Sequence, residues 1–339
     1  MFFDFFVCFM VKNVFEFPLT SGYLQPTIPN SSLEGFMKSF SCWLLIFVLI
    51  GLSSTGSAQN HRSAKLTAYP PDALAELEKW RAEYESDVKS ETGWLSIRGL
   101  FWLKPGANLV GSAADNVVVL PAEAAPARVG VITLDGKKAR LAVQAGVPVA
   151  VNGKAVTETD LKTDADGKAD MITLGTLSFY IIVRGEKIGV RLKDTNNPAL
   201  RNFPGVHWFE PNGAFRVEAR FVPYNPPKIL KITNVLGDVS DVPSAGYVEF
   251  RLLGKKCRLD VQQADDRLFV NFKDRSAGVT TYGAGRFLEP ELPKNGKVMI
   301  DFNRAYNPPC AYTEFATCPL PPPQNALPVA IEAGEKKTH

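Results

Sequence analysis

Between residues 116 and 191, apolar and polar side chains alternate in short runs that turn residues separate. The runs are NVVVLP, VGVITL, ARLAV, PVAV, MITL and LSFYIIV. They are rich in β-branched residues, and a period of two is typical of half-buried strands. Asp135-Gly136 and Asn152-Gly153 stand between runs and favour the positive φ angles of two-residue hairpins. The pattern predicts a β-sandwich domain over about residues 90–197.

A second alternating series starts at residue 215. In FRVEARFVPY the apolar and charged residues face opposite ways, YVEFRLLGKKCRLDV predicts a hairpin, and RLFVNFKD predicts a further strand. We therefore expect a second β domain, barrel-like or sandwich, over residues 198–337.

One helix precedes the strands in this prediction. Leu74, Leu77, Trp80, Tyr84 and Val88 recur at helical spacing over about residues 73–89. Asp72 stands where an N-cap is expected. The helix is interpreted as a cover for one end of a β core.

The strand order, with GANLVGS early and VNG later, resembles a forkhead-associated domain. Ser112 stands where that fold carries an arginine, and no Ser-x-x-His follows. The resemblance therefore implies the architecture without phosphopeptide recognition. The predicted fold class is mainly β: an N-terminal helix, then a forkhead-associated-like β-sandwich, then a second β domain.

Residues 37–58 have the composition of a secretory signal peptide, with Lys38 before an apolar run and small residues at the end. A membrane anchor is the alternative, but the apolar run is short for a spanning helix. Residues 1–36 are then an upstream extension from a misassigned start. We expect a secreted or periplasmic protein, with the membrane involved only through the cleaved peptide. In such an oxidising compartment Cys310 and Cys318 are predicted to form a disulfide.

Composition excludes several classes of function. The formal net charge is +3 without a block of basic residues, so no nucleic-acid partner is expected. Only three histidines occur, and His207 alone lies inside the predicted domains, so no metal site is expected. No Gly-x-Gly-x-x-Gly, P-loop or Gly-x-Ser-x-Gly motif is present, and no cofactor is expected.

Residues 297–335 concentrate carboxylate, amide, tyrosine and cysteine side chains in one short segment, KVMIDFNRAYNPPCAYTEFATCPLPPPQNALPVAIEAGE. Polar loops held between strands often carry function. In a catalytic interpretation, Asp301 is a general acid or base, Asp274 is the second carboxylate of a hydrolase, and Arg286 holds the substrate.

In a binding interpretation, a cleft between the two domains holds a small molecule, a glycan or a peptide. The ligand-binding candidates are Asn303, Tyr306, Asn307, Tyr282, Arg184, Arg191 and Asp194. In a structural interpretation, the DFN and YNPPC residues form a turn network with no ligand at all. The sequence leaves all three open, with binding as the preferred function.

The runs FKDRSAGVTTYGAGRFL, DFNRAYNPPCAY and CPLPPPQNALPVAIEAGEK resemble the bacterial domain-of-unknown-function family 1684. GWLSIRGLFWL and RGEKIGVRLKD fit the same family, so the resemblance covers roughly residues 75–337. It implies a β-rich secreted or envelope protein and supplies no catalytic residues.

Overall fold

The computed structural model describes residues 66–264 and 266–337. The predicted signal peptide at 37–58 and the extension at 1–36 lie outside this range. Within it the chain forms two helices, several single turns of 3₁₀ helix and three β-sheets, so the prediction of a mainly β fold with one substantial N-terminal helix is confirmed. None of the described helices is both long and apolar enough to span a membrane.

The helices are α1 (Pro71–Val88) and α2 (Pro198–Arg201). The strands of the first region are β1 (Ile97–Trp102), β2 (Gly106–Gly111), β3 (Val118–Val119), β4 (Gly130–Asp135), β5 (Lys138–Val143), β6 (Ala150–Val151), β7 (Lys154–Ala155), β8 (Glu158–Leu161), β9 (Ile172–Leu174), β10 (Leu177–Arg184) and β11 (Lys187–Asp194). Those of the second are β12 (Arg216–Thr233), β13 (Val239–Leu252), β14 (Lys255–Ala264), β15 (Arg267–Phe272), β16 (Arg286–Leu288) and β17 (Lys297–Asp301).

The first eleven strands form two sheets around one core. The six-stranded sheet has the order β1-β11-β10-β9-β6-β7, and the five-stranded sheet the order β3-β2-β4-β5-β8. Their inward side chains, such as Ile132, Leu141 and Phe179, are fully buried. The alternation in the sequence predicts these positions because successive strand residues face opposite sides. Positive φ angles at Gly136 and at Asn152-Gly153 close the two predicted hairpins.

The remaining six strands form one antiparallel sheet, β16-β15-β14-β13-β12-β17. Its core includes Phe272 and Ile300 from strands, and also Leu327 and Ile331 from the irregular C-terminal segment. That segment runs beside the exit of β15 and is held by backbone hydrogen bonds, including Arg275 N to Val329 O at 2.9 Å. The C-terminal residues therefore complete this core.

Helix α1 begins two residues earlier than the sequence predicts, at Pro71. Asp72 is therefore not the N-cap and lies in the first turn, because proline is favoured at the first helical position, where no N–H is needed. The buried face of the helix carries Tyr84 and Val88, which pack against Leu95 and partners from the second region. This packing makes the helix one wall of the site below.

Candidate functional site

A partly open cavity of about 50 Å³ lies beside helix α1. Half of its lining residues are aromatic side chains from four parts of the chain: Trp80, Tyr84, Trp94, Phe287 and Tyr306. Its other lining residues are Arg267, Glu289, Arg304, Asn307 and Pro309. We call this space the inner cavity.

The helical repeat places Trp80 and Tyr84 on one face of α1, where their rings stack with centroids 5.6 Å apart. Tyr306 completes this wall, and its ring centroid lies 5.2 Å from that of Tyr84. Backbone hydrogen bonds join Tyr306 to Phe287 in both directions, at 2.9 and 3.1 Å. The edge of the second sheet thereby fixes the distance between the helix and the tyrosine.

Asn307 lines this cavity and has a buried side-chain amide. Its Nδ2 donates to Glu335 Oε1 at 2.7 Å and to Lys336 O at 2.9 Å, so both amide hydrogens are used. This assignment fixes the orientation of the amide group. Its Oδ1 has no hydrogen-bond partner within the described residues, although the residue is only 1% exposed. A buried acceptor without a partner is rare in folded proteins, and this oxygen is covered by protein rather than exposed to the cavity.

Glu335 holds Asn307 in place from behind. The carboxyl group is fully buried and also accepts the backbone N–H of Asn307 at 2.7 Å. Tyr84 and Tyr312 donate their hydroxyl groups to the same carboxyl group. Burial raises the pKa of Glu335 to about 7, although these four donors oppose the shift.

Glu289 follows β16 and is the carboxylate at the inner cavity. The Tyr306 hydroxyl donates a hydrogen bond to its Oε1. Burial raises the pKa of Glu289, while that hydrogen bond and the nearby Arg267 guanidinium act in the opposite direction. The carboxyl group thus combines partial desolvation with a defined orientation, which is common at functional sites.

A larger cleft of about 570 Å³, which we call the outer cleft, shares lining residues with the inner cavity. Arg267, Glu289 and Arg304 line both spaces, so these three residues form the junction. The cleft is otherwise bounded by residues near the start of α1 and around β17.

Charges of the outer cleft are balanced. Its five basic residues are Arg216, Arg267, Lys294, Lys297 and Arg304, and its five acidic residues are Glu76, Glu218, Glu289, Glu291 and Asp301. Several of them pair with one another, including Lys297 with Glu218 at 2.6 Å. Such a surface favours neutral or zwitterionic ligands over polyanions.

Asp301 lies in the outer cleft, where it caps a 3₁₀ turn at residues 302–304. It accepts hydrogen bonds from Asn303 N at 3.0 Å and from Asn303 Nδ2 at 2.8 Å, and Tyr69 donates its hydroxyl to the other oxygen. Asn303 is fully buried. Its Nδ2 donates a hydrogen bond to Asn212 O, and its Oδ1 accepts one from Asn212 N. These two predicted site residues build a turn.

Asp274 and Arg286 form a buried ion pair, with Arg286 Nη2 2.9 Å from Asp274 Oδ2. Their side chains are 2% and 1% exposed. Arg286 also donates to the carbonyls of Ile331 and Ala333, and Asp274 accepts the N–H of Ile331. The pair therefore ties the C-terminal segment to the sheet, and neither residue lines the inner cavity or the outer cleft.

The candidates from the first sheet also lie away from both spaces. Arg184 pairs with the buried Asp164 at 2.6 Å and reaches Thr317. Asp194 accepts from Arg98 and from the backbone of the following turn. Arg191 is 1% exposed, and its Nε has no hydrogen-bond partner within residues 66–264 and 266–337.

The predicted disulfide between Cys310 and Cys318 is absent, and both are free thiols. The Sγ of Cys318 instead accepts the backbone N–H of Cys310 at 3.1 Å, which directs the sulfur to the main chain. A hydrogen bond from the Cys318 thiol lowers the pKa of the Cys310 thiol. The Tyr282 hydroxyl, another predicted ligand group, donates to Cys310 O at 2.9 Å.

Of the ten predicted site residues, the inner cavity includes Tyr306 and Asn307, and the outer cleft includes Asp301. Sequence reasoning missed Glu289, Arg267 and Arg304. It placed Trp80 and Tyr84 on the buried face of the helix without a binding role. The available signal for a binding role was that both residues are aromatic and lie four positions apart on one helix face. Nothing in the local sequence distinguishes Glu289 from the exposed glutamates.

The family model described as "Protein of unknown function (DUF1684)" matches residues 201–336. This range contains Glu289, Tyr306 and Asn307, whereas Trp80, Tyr84 and Trp94 lie outside it. No curated protein matches the chain.

Among solved structures, the uncharacterized protein from gene locus rrnAC0354 of Haloarcula marismortui is 34% identical to this chain. The match covers 41% of this chain and 80% of that protein, with a TM-score of 0.35. An FHA domain from a study of phosphothreonine-dependent interactions is 25% identical to this chain. That match covers 28% of this chain and 92% of the FHA domain, with a TM-score of 0.20. The FhaA FHA domain is also 25% identical, and the match covers 28% of this chain and 97% of that domain, with a TM-score of 0.20. FHA domains are thus among the matched structures.

Proposed function

We propose a function from the cavity itself, because the DUF1684 model that matches residues 201–336 is described only as a protein of unknown function. The protein binds a small polar organic ligand whose end enters the inner cavity while the rest occupies the outer cleft. A polar small molecule, a glycan or a peptide fits this description. Enclosed aromatic walls with a few convergent polar groups are typical of ligand sites.

The carboxyl group of Glu289 carries this proposal. It lines both the inner cavity and the outer cleft, so a ligand in either space can reach it. The Tyr306 hydroxyl donates a hydrogen bond to its Oε1 and so fixes the orientation of the group. Trp80, Tyr84 and Tyr306 supply aromatic surface in the same cavity.

Hydrolysis by Asp301 with Asp274 and Arg286 is the less favoured function. The last two residues form an enclosed ion pair, and Asp301 is occupied by Asn303 and Tyr69. A purely structural role fits Asp301 and Asn303, but it does not account for the aromatic cavity at which the Glu289 carboxyl group is held.

The proposal also places the protein outside the cytoplasm, in the bacterial periplasm or secreted. Its support is the sequence pattern of residues 37–58, which has a charged start, an apolar run and small residues at the end. N-terminal sequencing of the exported protein is expected to give a mature chain starting near Gln59. An uncleaved N-terminus in the cytoplasmic fraction would contradict this location.

Isothermal titration calorimetry tests the binding function. The full chain is screened by thermal shift against glycans, short peptides and small zwitterions, because a ligand of the native state raises the melting temperature. Any hit is then titrated into the wild type, Glu289→Gln and the control Glu249→Gln, whose side chain is 40% exposed in the second sheet. We expect Glu289→Gln to weaken binding at least tenfold and the control to stay within twofold. No hit in any class, or equal binding by all three proteins, would refute the proposal.

A further inference from the structure

One oxygen of the Glu289 carboxyl group is left without a hydrogen bond. Oε1 accepts the hydroxyl group of Tyr306, whereas Oε2 has no hydrogen-bond partner within residues 66–264 and 266–337 and remains accessible. The side chain is partly buried and lines both the inner cavity and the outer cleft. A carboxylate oxygen is an acceptor only, so this site favours a ligand group that donates from N–H or O–H.

Arg304 supplies hydrogen-bond donors at the same junction. Its guanidinium lies 3.7 Å from Glu76, which is an ion-pair distance but longer than a hydrogen bond. The same guanidinium lies 5.9 Å from the ring centroid of Trp80, so that aromatic face already has a cation beside it. Its N–H groups donate no hydrogen bond to the part of the chain that the structure describes. They are therefore available to an acceptor on a ligand.

The charges around the junction favour a neutral ligand group. Burial raises the pKa of Glu289, and the Arg267 guanidinium acts in the opposite direction, so this carboxylate already has a cation nearby. An added ammonium group would stand close to Arg267 and Arg304. An added carboxylate would stand close to Glu289, with Glu291 in the outer cleft. Either charge would also lose hydration, which a neutral group does not.

Size and wall chemistry narrow the class further. Roughly 10–15 Å³ of cavity volume holds one water-sized group, so about 50 Å³ holds about four non-hydrogen atoms. Half of the lining residues are aromatic, so part of the bound group must be apolar. An acetamido group has this size and composition. It offers a methyl group for aromatic surface, an N–H for a carboxylate and a carbonyl oxygen for a guanidinium, and it carries no charge.

We propose that the inner cavity binds the acetamido group of an N-acetylated small molecule, whose remaining part lies in the outer cleft. This inference rests on the proposed binding function and names the chemical class of its ligand. The amide N–H donates to Glu289 Oε2, and the carbonyl oxygen accepts from Arg304. The methyl group packs against the rings of Tyr84 and Tyr306. The parent molecule is an amino sugar or an amino acid, because both carry this group and the outer cleft of about 570 Å³ has room for either.

Matched compounds with and without the acetyl group test the class and identify the parent molecule. N-acetylglucosamine is compared with glucosamine and glucose, and N-acetylalaninamide with alaninamide, by calorimetric titration into the full-length protein. In the arm that binds, we expect the acetylated compound to bind at least tenfold more tightly than its partners, because they lack the amide and its methyl group. An unacetylated partner that binds as tightly would refute the inference.

A series of acyl groups on the same parent molecule measures the cavity. The formyl compound lacks the methyl group and is expected to bind about fourfold more weakly than the acetyl compound, the equivalent of about 0.8 kcal/mol for one buried carbon. The butanoyl compound exceeds the volume of the inner cavity and is expected to bind at least tenfold more weakly. Equal binding of the butanoyl and acetyl compounds would place the acyl group outside this cavity and refute the inference.

Replacement of the amide nitrogen tests the hydrogen bond to Glu289. The ester analogue, with oxygen in place of N–H, is expected to bind the wild type at least tenfold more weakly than the amide, because it cannot donate to the carboxylate. In Glu289→Gln this ratio is expected to fall to within threefold, since the glutamine amide can donate to the ester oxygen. The control Glu249→Gln, at a side chain that is 40% exposed, is expected to keep the full ratio. A full ratio in Glu289→Gln would refute the contact, and circular dichroism melts confirm that each variant is folded.

The outcomes separate this inference from the function on which it rests. If a compound without an acetyl group binds in a manner that depends on Glu289 while the acetylated compounds do not bind, the binding function stands and the acetamido group is refuted. Acetyl-dependent binding in the sugar arm or in the amino acid arm supports the inference and names the parent molecule. If no compound of any class binds, both proposals fail.

Discussion

The buried carboxyl group of Glu335 is expected to make the stability of the protein depend on pH near neutrality. Its pKa is raised from 4.5 to about 7 by burial, which favours the protonated form in the folded state. As pH rises above 4.5 the unfolded chain releases this proton first, so unfolding becomes more favourable. The stabilisation is fully present below pH 4.5 and is lost as pH rises through about 7.

The pKa of Glu335 is 4.5 in the unfolded chain and about 7 in the folded protein. At about 1.36 kcal/mol per pH unit, this difference corresponds to roughly 3 kcal/mol in the free energy of unfolding. Glu335→Gln keeps the shape of the protonated group but cannot titrate. Urea unfolding of both proteins between pH 4.5 and 7.5 gives the difference in their free energies of unfolding. This difference, wild type minus variant, is expected to fall by roughly 3 kcal/mol across that range.

Glu332→Gln, at an exposed glutamate three residues away, serves as the matched control for the substitution itself. A difference for Glu335→Gln that does not change with pH would refute the reasoning. A curve that rises with pH would show that the four hydrogen-bond donors outweigh desolvation and that the pKa is lowered instead.

Three substitutions test the packing. Asp274→Asn leaves the buried Arg286 charge without its partner and is expected to cost about 3–5 kcal/mol in urea unfolding; a loss below about 1 kcal/mol would contradict the buried pair. Leu141→Ala in the sandwich core is expected to cost about 2–5 kcal/mol, and a neutral result would place that residue outside the core. In Gly334→Ala the new Cβ would lie 2.4 Å from Ala305 O, at a φ of +78°. In Gly237→Ala the φ is similar, +85°, but nothing lies within 4 Å of the new Cβ. We therefore expect Gly334→Ala to lower the melting temperature more than Gly237→Ala does, and equal falls would refute the close approach.

The strands of the first sandwich could be predicted because their side chains alternate between core and solvent. That alternation is a local property, and the Asn152-Gly153 hairpin follows from local backbone preference in the same way. Helix α1 was predicted for a similar reason, within two residues at each end. The prediction of Asp72 as its N-cap was wrong because the helix starts at Pro71.

The site was harder to predict because its residues come from distant parts of the chain. Trp80 lies on the helix, and Glu289 and Asn307 lie more than 200 residues further along. Asp274 and Arg286 were misplaced in a cleft because a charged residue in a turn is usually exposed. Only tertiary contacts show that these two satisfy each other in the interior. Cys310 and Cys318 have a plausible spacing for a disulfide, but spacing carries no information on where each sulfur points.

The location of the bound ligand tests the central claim most directly. The full-length protein is labelled with 5-fluorotryptophan, its ¹⁹F resonances are assigned by Trp→Phe substitution, and the tightest ligand of the screen is titrated in. Trp80 and Trp94 line the inner cavity, whereas Trp102 lies on β1 and lines neither space. We predict saturable shifts of the Trp80 and Trp94 resonances with the calorimetric affinity and a stationary Trp102 resonance. Saturable binding that leaves Trp80 and Trp94 unmoved would contradict the assignment of this cavity as the ligand site.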